Sequence, residues 1–113
     1  MTDAEIENEI QAKGLTAPRI TPQSIEEIIA SEHYFTATDA LVGPGWKALP
    51  KALDLLTLCV LVLKNGFTIV GKSACASPEN FDAELGRKIA RQDAVNQIWP
   101  LEGYRLRSQL ASA

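Results

Sequence analysis

The sequence predicts an α+β fold: N-terminal helices, a central antiparallel β-hairpin and a long C-terminal helix, assembled as a homo-oligomer. Three observations predict it. Asn65-Gly66 separates two strand-like runs, 55–63 and 67–76, and Asn-Gly between apolar segments is a strong hairpin signal. After Ser77-Pro78, Phe81, Leu85 and Ile89 recur at helical spacing beside a small-residue row of Gly86, Ala90 and Ala94. Upstream, Thr21-Pro22 reads as an N-cap followed by a proline in the first turn.

The elements follow in order. Thr2 with Glu5 resembles a capping box and Gly14 suits a helix stop, which predicts a first helix over 3–13. It carries Asp3, Glu5, Glu7 and Glu9 but only Ile6 and Ile10 as large apolar residues, so 1–20 reads as an acidic helical arm and linker and 21–113 as the core. A second helix over 22–32 places Ile25, Ile28 and Ile29 on one stripe. Residues 33–54 read as irregular, because Gly43-Pro44-Gly45 and Pro50 break helices; long structureless segments in small domains are often functional. A type I′ turn at Asn65-Gly66 pairs positions that sum to 131, setting Cys59 opposite Lys72 and Cys75 opposite Leu56, too far apart for a disulfide. One ribbon face then carries Leu56, Leu58, Val60, Val62 and Ile69, and the other Cys59, Leu61, Leu63 and Val70. A two-stranded ribbon is marginal in water, so helices, a second subunit or both must cover it. The main helix is predicted over 78–98, ended by Pro100, with a short helix or extended arm over Leu101–Leu110.

Composition narrows the function. The chain has 113 residues, 46% of them hydrophobic, and a net charge of −3. Its longest apolar run, LLTLCVLVL, is half the roughly 18 residues a membrane helix needs, so no membrane partner is expected. The acidic start MTDAEIENEI has no export signal, and two cysteines without one suit a reducing cytosol. Residues 1–63 hold four Lys/Arg against nine Asp/Glu, whereas 64–113 hold seven against five. That balance argues against DNA, which requires a broad basic surface, and suits a focused site for a small anion.

Catalytic signals are weak. His33 is the single histidine, the cysteines lack metal-ligand spacing, and no Gly-rich phosphate loop or nucleophile elbow is present, so no enzyme activity, metal or cofactor is predicted. The most informative segment is SPENFDAELGRKIARQDAVNQIWPLEGYRLR, residues 77–107. Arg87 and Arg91 lie one helical turn apart, and like charges at that spacing cost an isolated helix about 0.2–0.5 kcal/mol unless an anion or a carboxylate sits between them. Guanidinium forks suit phosphate oxygens. Two readings follow. In one, Arg87 and Arg91 hold phosphates, Phe81 or Tyr104 stacks on a base, Asn80 contributes a polar contact, and Arg105 closes the site; Arg91→Ala then loses affinity without losing stability. In the other, the arginines pair with carboxylates and the aromatics belong to the core.

The pattern KNGF…G.SAC..P.NFD.E.G..IA…A…IW.LEGY.L, with TPQSIEEIIASEHYFTA upstream, resembles a widespread family of small phage proteins. Some of its members are anti-Thoeris proteins, non-enzymatic sponges that sequester cyclic ADP-ribose isomers made by bacterial TIR enzymes; related members hold cyclic oligonucleotides, and they assemble as homo-oligomers. The resemblance implies the same for this chain: binding of cyclic ADP-ribose isomers or other cyclic nucleotides without cleavage, self-association, and action in the host bacterial cytoplasm. The family commonly has Asn where this chain has Asp93. The rival reading is a small phage regulator that binds a host protein through its acidic first helix.

Overall fold

A computed structural model describes residues 2–41 and 48–113. The expectation for Gly43-Pro44-Gly45 lies outside them. Helix α1, Asp3–Ala12, begins where the Thr2 side chain accepts the Glu5 N–H. It ends at Gly14 with φ 69°, where the Leu15 N–H reaches Ile10 O and the Gly14 N–H reaches Gln11 O. That double closure requires a left-handed residue, which glycine adopts without a Cβ penalty. Helix α2, Pro22–Glu27, is closed by reciprocal bonds between Thr21 and Ser24.

The predicted 22–32 helix is half its expected length, because Ile29–Thr36 forms strand β1. A short helix α3, Ala37–Leu41, and a 3₁₀ turn, Lys51–Leu55, follow in the segment read as irregular. Strands β2, Leu56–Leu63, and β3, Thr68–Ala74, complete an antiparallel sheet in the order β1-β2-β3. The predicted ribbon is therefore the larger part of a three-stranded sheet, with β2 at its centre. β1 enters through a bulge between Ile29 and Ser31.

The hairpin register differs by one from expectation. Cys59 faces Gly71 and Val60 faces Val70, so paired positions sum to 130. A type I′ turn requires positive φ at both central residues, whereas Gly66, at 89°, has positive φ here and Asn65 does not. The Gly66 N–H bonds Leu63 O and the Leu63 N–H bonds Phe67 O, which makes a three-residue loop with glycine in the left-handed position. A one-residue slip exchanges faces. Ile69 consequently joins Thr57, Cys59, Leu61 and Leu63 on the buried face, and Val70 joins the half-buried Leu56, Leu58, Val60 and Val62 on the other, where it is 52% exposed. Cys59 and Cys75 are both free.

Helix α4, Ala83–Ala111, covers the buried face. Residues 78–80 form a separate 3₁₀ turn, and Asp82, not Ser77, caps the long helix by accepting the Leu85 N–H. Pro100 does not end it. The missing proline N–H frees only the Asn96 carbonyl, and both residues are exposed, so water can satisfy the lost bond. Ala90, Ala94, Val95 and Ile98 pack with Ile25, Cys59, Leu61 and Ile69 in the core. α4 also finishes the edge strand: Asp93 accepts the Lys72 N–H at 2.9 Å, and the Gln97 amide donates to Val70 O at 2.7 Å. Asp93 thus has a structural partner. Beyond Trp99 the helix leaves Leu101, Tyr104 and Leu110 exposed.

α1 contributes no buried residue. It is tied down by Arg19, which donates two hydrogen bonds of 2.6 Å to the Glu7 carboxylate. That pairing, with a second bond from Gln11, holds the Glu7 carboxyl at about 2, below its ordinary 4.5. A depressed folded-state value stabilises the folded form above the ordinary value, and the contribution is lost as pH falls toward the folded one. α1 is therefore expected to detach between about pH 4.5 and 2. Circular dichroism should show helical signal falling through that window in wild type, and a flatter profile in Glu7→Gln.

Candidate functional site

The six residues expected to bind ligand fall in three places. Asn80 and Phe81 line a cavity of about 280 Å³ where β3 leads into α4, together with Cys75, Leu85, Gly86 and Ile89. Neither Arg87 nor Arg91 lines that cavity. Phe81 is half-buried.

Arg87 and Arg91 lie on the flank of α4 that faces α2, α3 and β1. Arg91 is fully engaged. Its terminal nitrogens donate to both Glu26 oxygens at 3.0 and 2.6 Å, and its Nε donates to Glu32 at 2.8 Å. Those partners lie 65 and 59 residues away in sequence, on α2 and β1. The Arg91 hydrogen bond holds the Glu26 carboxyl below its ordinary range. The expectation that removing Arg91 leaves stability unchanged does not fit this geometry. Arg87, in contrast, makes no ion pair among the described residues; its charge acts at a distance on Asp39 of α3. Beneath the cluster, burial pushes the Tyr34 phenol up to about 12, with the neighbouring Cys59 and Glu32 acting in the same direction.

Tyr104 and Arg105 sit on the projecting end of α4. Fourteen residues of helix separate Arg91 from Arg105, about 21 Å at 1.5 Å per residue. Tyr104 is 79% exposed, and Arg105 bonds Glu102 one turn back. Within the chain these two do not reach the Arg87–Arg91 flank. His33 is exposed and hydrogen-bonds Ser31. Among the described residues, no group of three His, Cys, Asp or Glu side chains could hold a metal ion, and no helix is long and apolar enough to cross a membrane.

Sequence reasoning missed Glu26 and Glu32 as partners of Arg91, because nothing local to either carboxylate marks a contact with a helix some 60 residues away. It placed Trp99 just before a helix stop and as one possible platform for a base, but not against α1. Trp99 instead stands between α4 and α1 and lines the cavities beneath that helix.

The fold and this arginine-bearing helix define a small α+β protein whose one long helix carries the candidate site. The chain belongs to the phage protein family described as "Phage protein (N4 Gp49/phage Sf6 gene 66) family", whose pattern it matches over residues 20–110. That span begins after α1 and covers the sheet and nearly all of α4. No curated protein and no solved structure matches the chain.

Proposed function

We propose that this phage-family protein binds and sequesters cyclic ADP-ribose isomers, and related cyclic nucleotides, without cleaving them, and so silences Thoeris immunity in the host cytoplasm. The family match across the helix bearing Arg87, Arg91, Tyr104 and Arg105 carries the reading. Arg87 supports it independently, as an exposed guanidinium with no ion-pair partner among the described residues in a chain of net charge −3. A diphosphate needs such a donor, and it can compete with Glu26 and Glu32 for Arg91 because all three of those side chains are partly solvated.

The distance along α4 favours a site assembled between copies. Tyr104 and Arg105 reach an Arg87–Arg91 flank when the projecting helix belongs to a second subunit. The half-exposed row Leu56, Leu58, Val60, Val62 and the exposed Val70 offer that subunit an apolar sheet face. The solution mass is accordingly expected to exceed the 12.3 kDa of one chain. Light scattering that returned a monomer at micromolar concentration would remove the assembled site.

Thermal-shift measurements test the binding. A ligand that binds only the folded state raises the melting temperature by mass action, about 2.7 kcal/mol of stabilisation at a hundredfold excess over Kd. A cyclic ADP-ribose isomer should raise it, and linear ADP-ribose should do so less. No shift with any cyclic nucleotide would end the proposal.

A further inference from the structure

α1 lies outside the span that matches the phage family, and it roofs two adjoining cavities. One, of about 250 Å³, is lined by Asp3, Ile6, Glu7, Ile10, Ile20, Pro22 and Trp99. The other, of about 290 Å³, shares Asp3, Pro22 and Trp99 and runs toward Arg91. The walls of the first are apolar apart from the two carboxylates. Glu7 is committed to Arg19, which leaves Asp3 as the carboxylate of this first cavity with no ion-pair partner among the described residues. Glu5 and Glu9 of α1 line neither cavity, and Glu9 pairs with Lys13.

We propose that this cleft takes an arginine or lysine side chain from a partner protein, with its aliphatic stem lying against Trp99, Ile6 and Ile20 and its charged head on Asp3. Three features select that occupant. Each cavity falls just below the roughly 300–1,000 Å³ of small-molecule pockets, a scale that suits one long side chain better than a cofactor. An apolar lining that includes one carboxylate without an ion-pair partner among the described residues matches a side chain that buries its stem and keeps its head polar. The indole of Trp99 attracts a cation over its face, while Asp3 and the acidic exterior of α1 repel an anion. The first cavity, which holds Asp3 and the apolar lining, includes neither Arg87 nor Arg91; only the adjoining second cavity reaches Glu26 and Arg91.

The test uses the full chain carrying Trp46→Phe, so that Trp99 is the single tryptophan reporting. It is titrated with a capped Leu-Arg-Leu peptide amide and with counterparts in which glutamine or glutamate replaces the arginine. The arginine peptide is expected to shift Trp99 emission saturably, and the glutamate peptide to leave it unchanged. Asp3→Asn should weaken the arginine peptide about tenfold, and Asp3→Glu should restore much of it. Glu5→Gln, which removes the same charge from α1 but lines neither cavity, should have no comparable effect. Circular dichroism of each variant verifies that α1 remains helical; if Asp3→Asn unfolds it, the peptide series on the parent protein decides. Equal responses to all three peptides, equal losses in Asp3→Asn and Glu5→Gln, or no saturable response at millimolar peptide would overturn the proposal. A response to free guanidinium matching that to the peptide would also overturn it as a protein-docking site.

Discussion

Gly71→Ala is expected to unfold much of the population at moderate temperature. Gly71 sits on β3 where α4 crosses it most closely. A methyl group there would overlap the Ala90 carbonyl oxygen and lie 2.5 Å from the Ala94 backbone nitrogen and 2.8 Å from its Cβ. Two of those three neighbours are backbone atoms, so relief requires lifting the helix off the sheet, not rotating a side chain. Overpacking a tight core typically costs about 1–3 kcal/mol and sometimes more; with backbone as the obstacle, the upper end or beyond is expected. A loss of about 3 kcal/mol lowers the melting temperature by some 12–24 °C for a domain near this size. Gly86→Ala is the control. Its methyl would meet the Thr57 hydroxyl at 2.9 Å. That strain is opposed by the roughly 0.5–1 kcal/mol that alanine gains over glycine inside a helix. Thermal denaturation should therefore separate the two by at least about 10 °C. Equal melting temperatures would mean α4 does not cross β3 at Gly71.

Arg87→Ala and Arg91→Ala are expected to part company. A charge-assisted hydrogen bond contributes about 1.5–3 kcal/mol, so losing the Arg87 contact to phosphate should weaken a cyclic ADP-ribose isomer by about one to two decades. Its melting temperature without ligand should hardly move, because no ion pair is lost among the described residues. Arg91→Ala leaves Glu26 and Glu32 without the cation that joins them. The three side chains of this cluster are 27–54% exposed, so the loss is expected to be about 1 kcal/mol, visible as a drop of about 4–8 °C. If Arg91 exchanges carboxylates for phosphate, its affinity loss accompanies that drop. Calorimetry and melting curves on the same preparations distinguish the cases. An Arg87→Ala protein with wild-type affinity would remove Arg87 from the site.

What could be read directly from the sequence was local. Thr2, Gly14, Thr21-Pro22 and Asn65-Gly66 act through bonds within a few residues, and each marks a boundary close to the observed one. The register was not legible, because Asn65 is compatible with more than one turn and the choice belongs to the whole hairpin. β1 was hidden for a similar reason: Ser31, Glu32 and His33 give it a polar centre, and it becomes a strand by pairing with the free edge of β2. Pro100 misled because a proline stops a helix only when the freed carbonyl has nowhere to go. The candidate site was half legible. The helix that carries Arg87, Arg91, Tyr104 and Arg105 was, whereas Asn80 and Phe81 fall before it and the occupancy of Arg91 depends on carboxylates brought in by tertiary structure.

Sequestration without chemistry is the central claim, and recovery of bound ligand tests it most directly. The protein is saturated with a cyclic ADP-ribose isomer, freed of excess, denatured, and the released material identified by mass spectrometry. The account predicts the intact cyclic molecule in stoichiometric proportion to protein sites, unchanged after prolonged incubation. Linear ADP-ribose, or AMP and ribose phosphate from a broken diphosphate, accumulating with time would contradict it, as would the absence of any retained nucleotide.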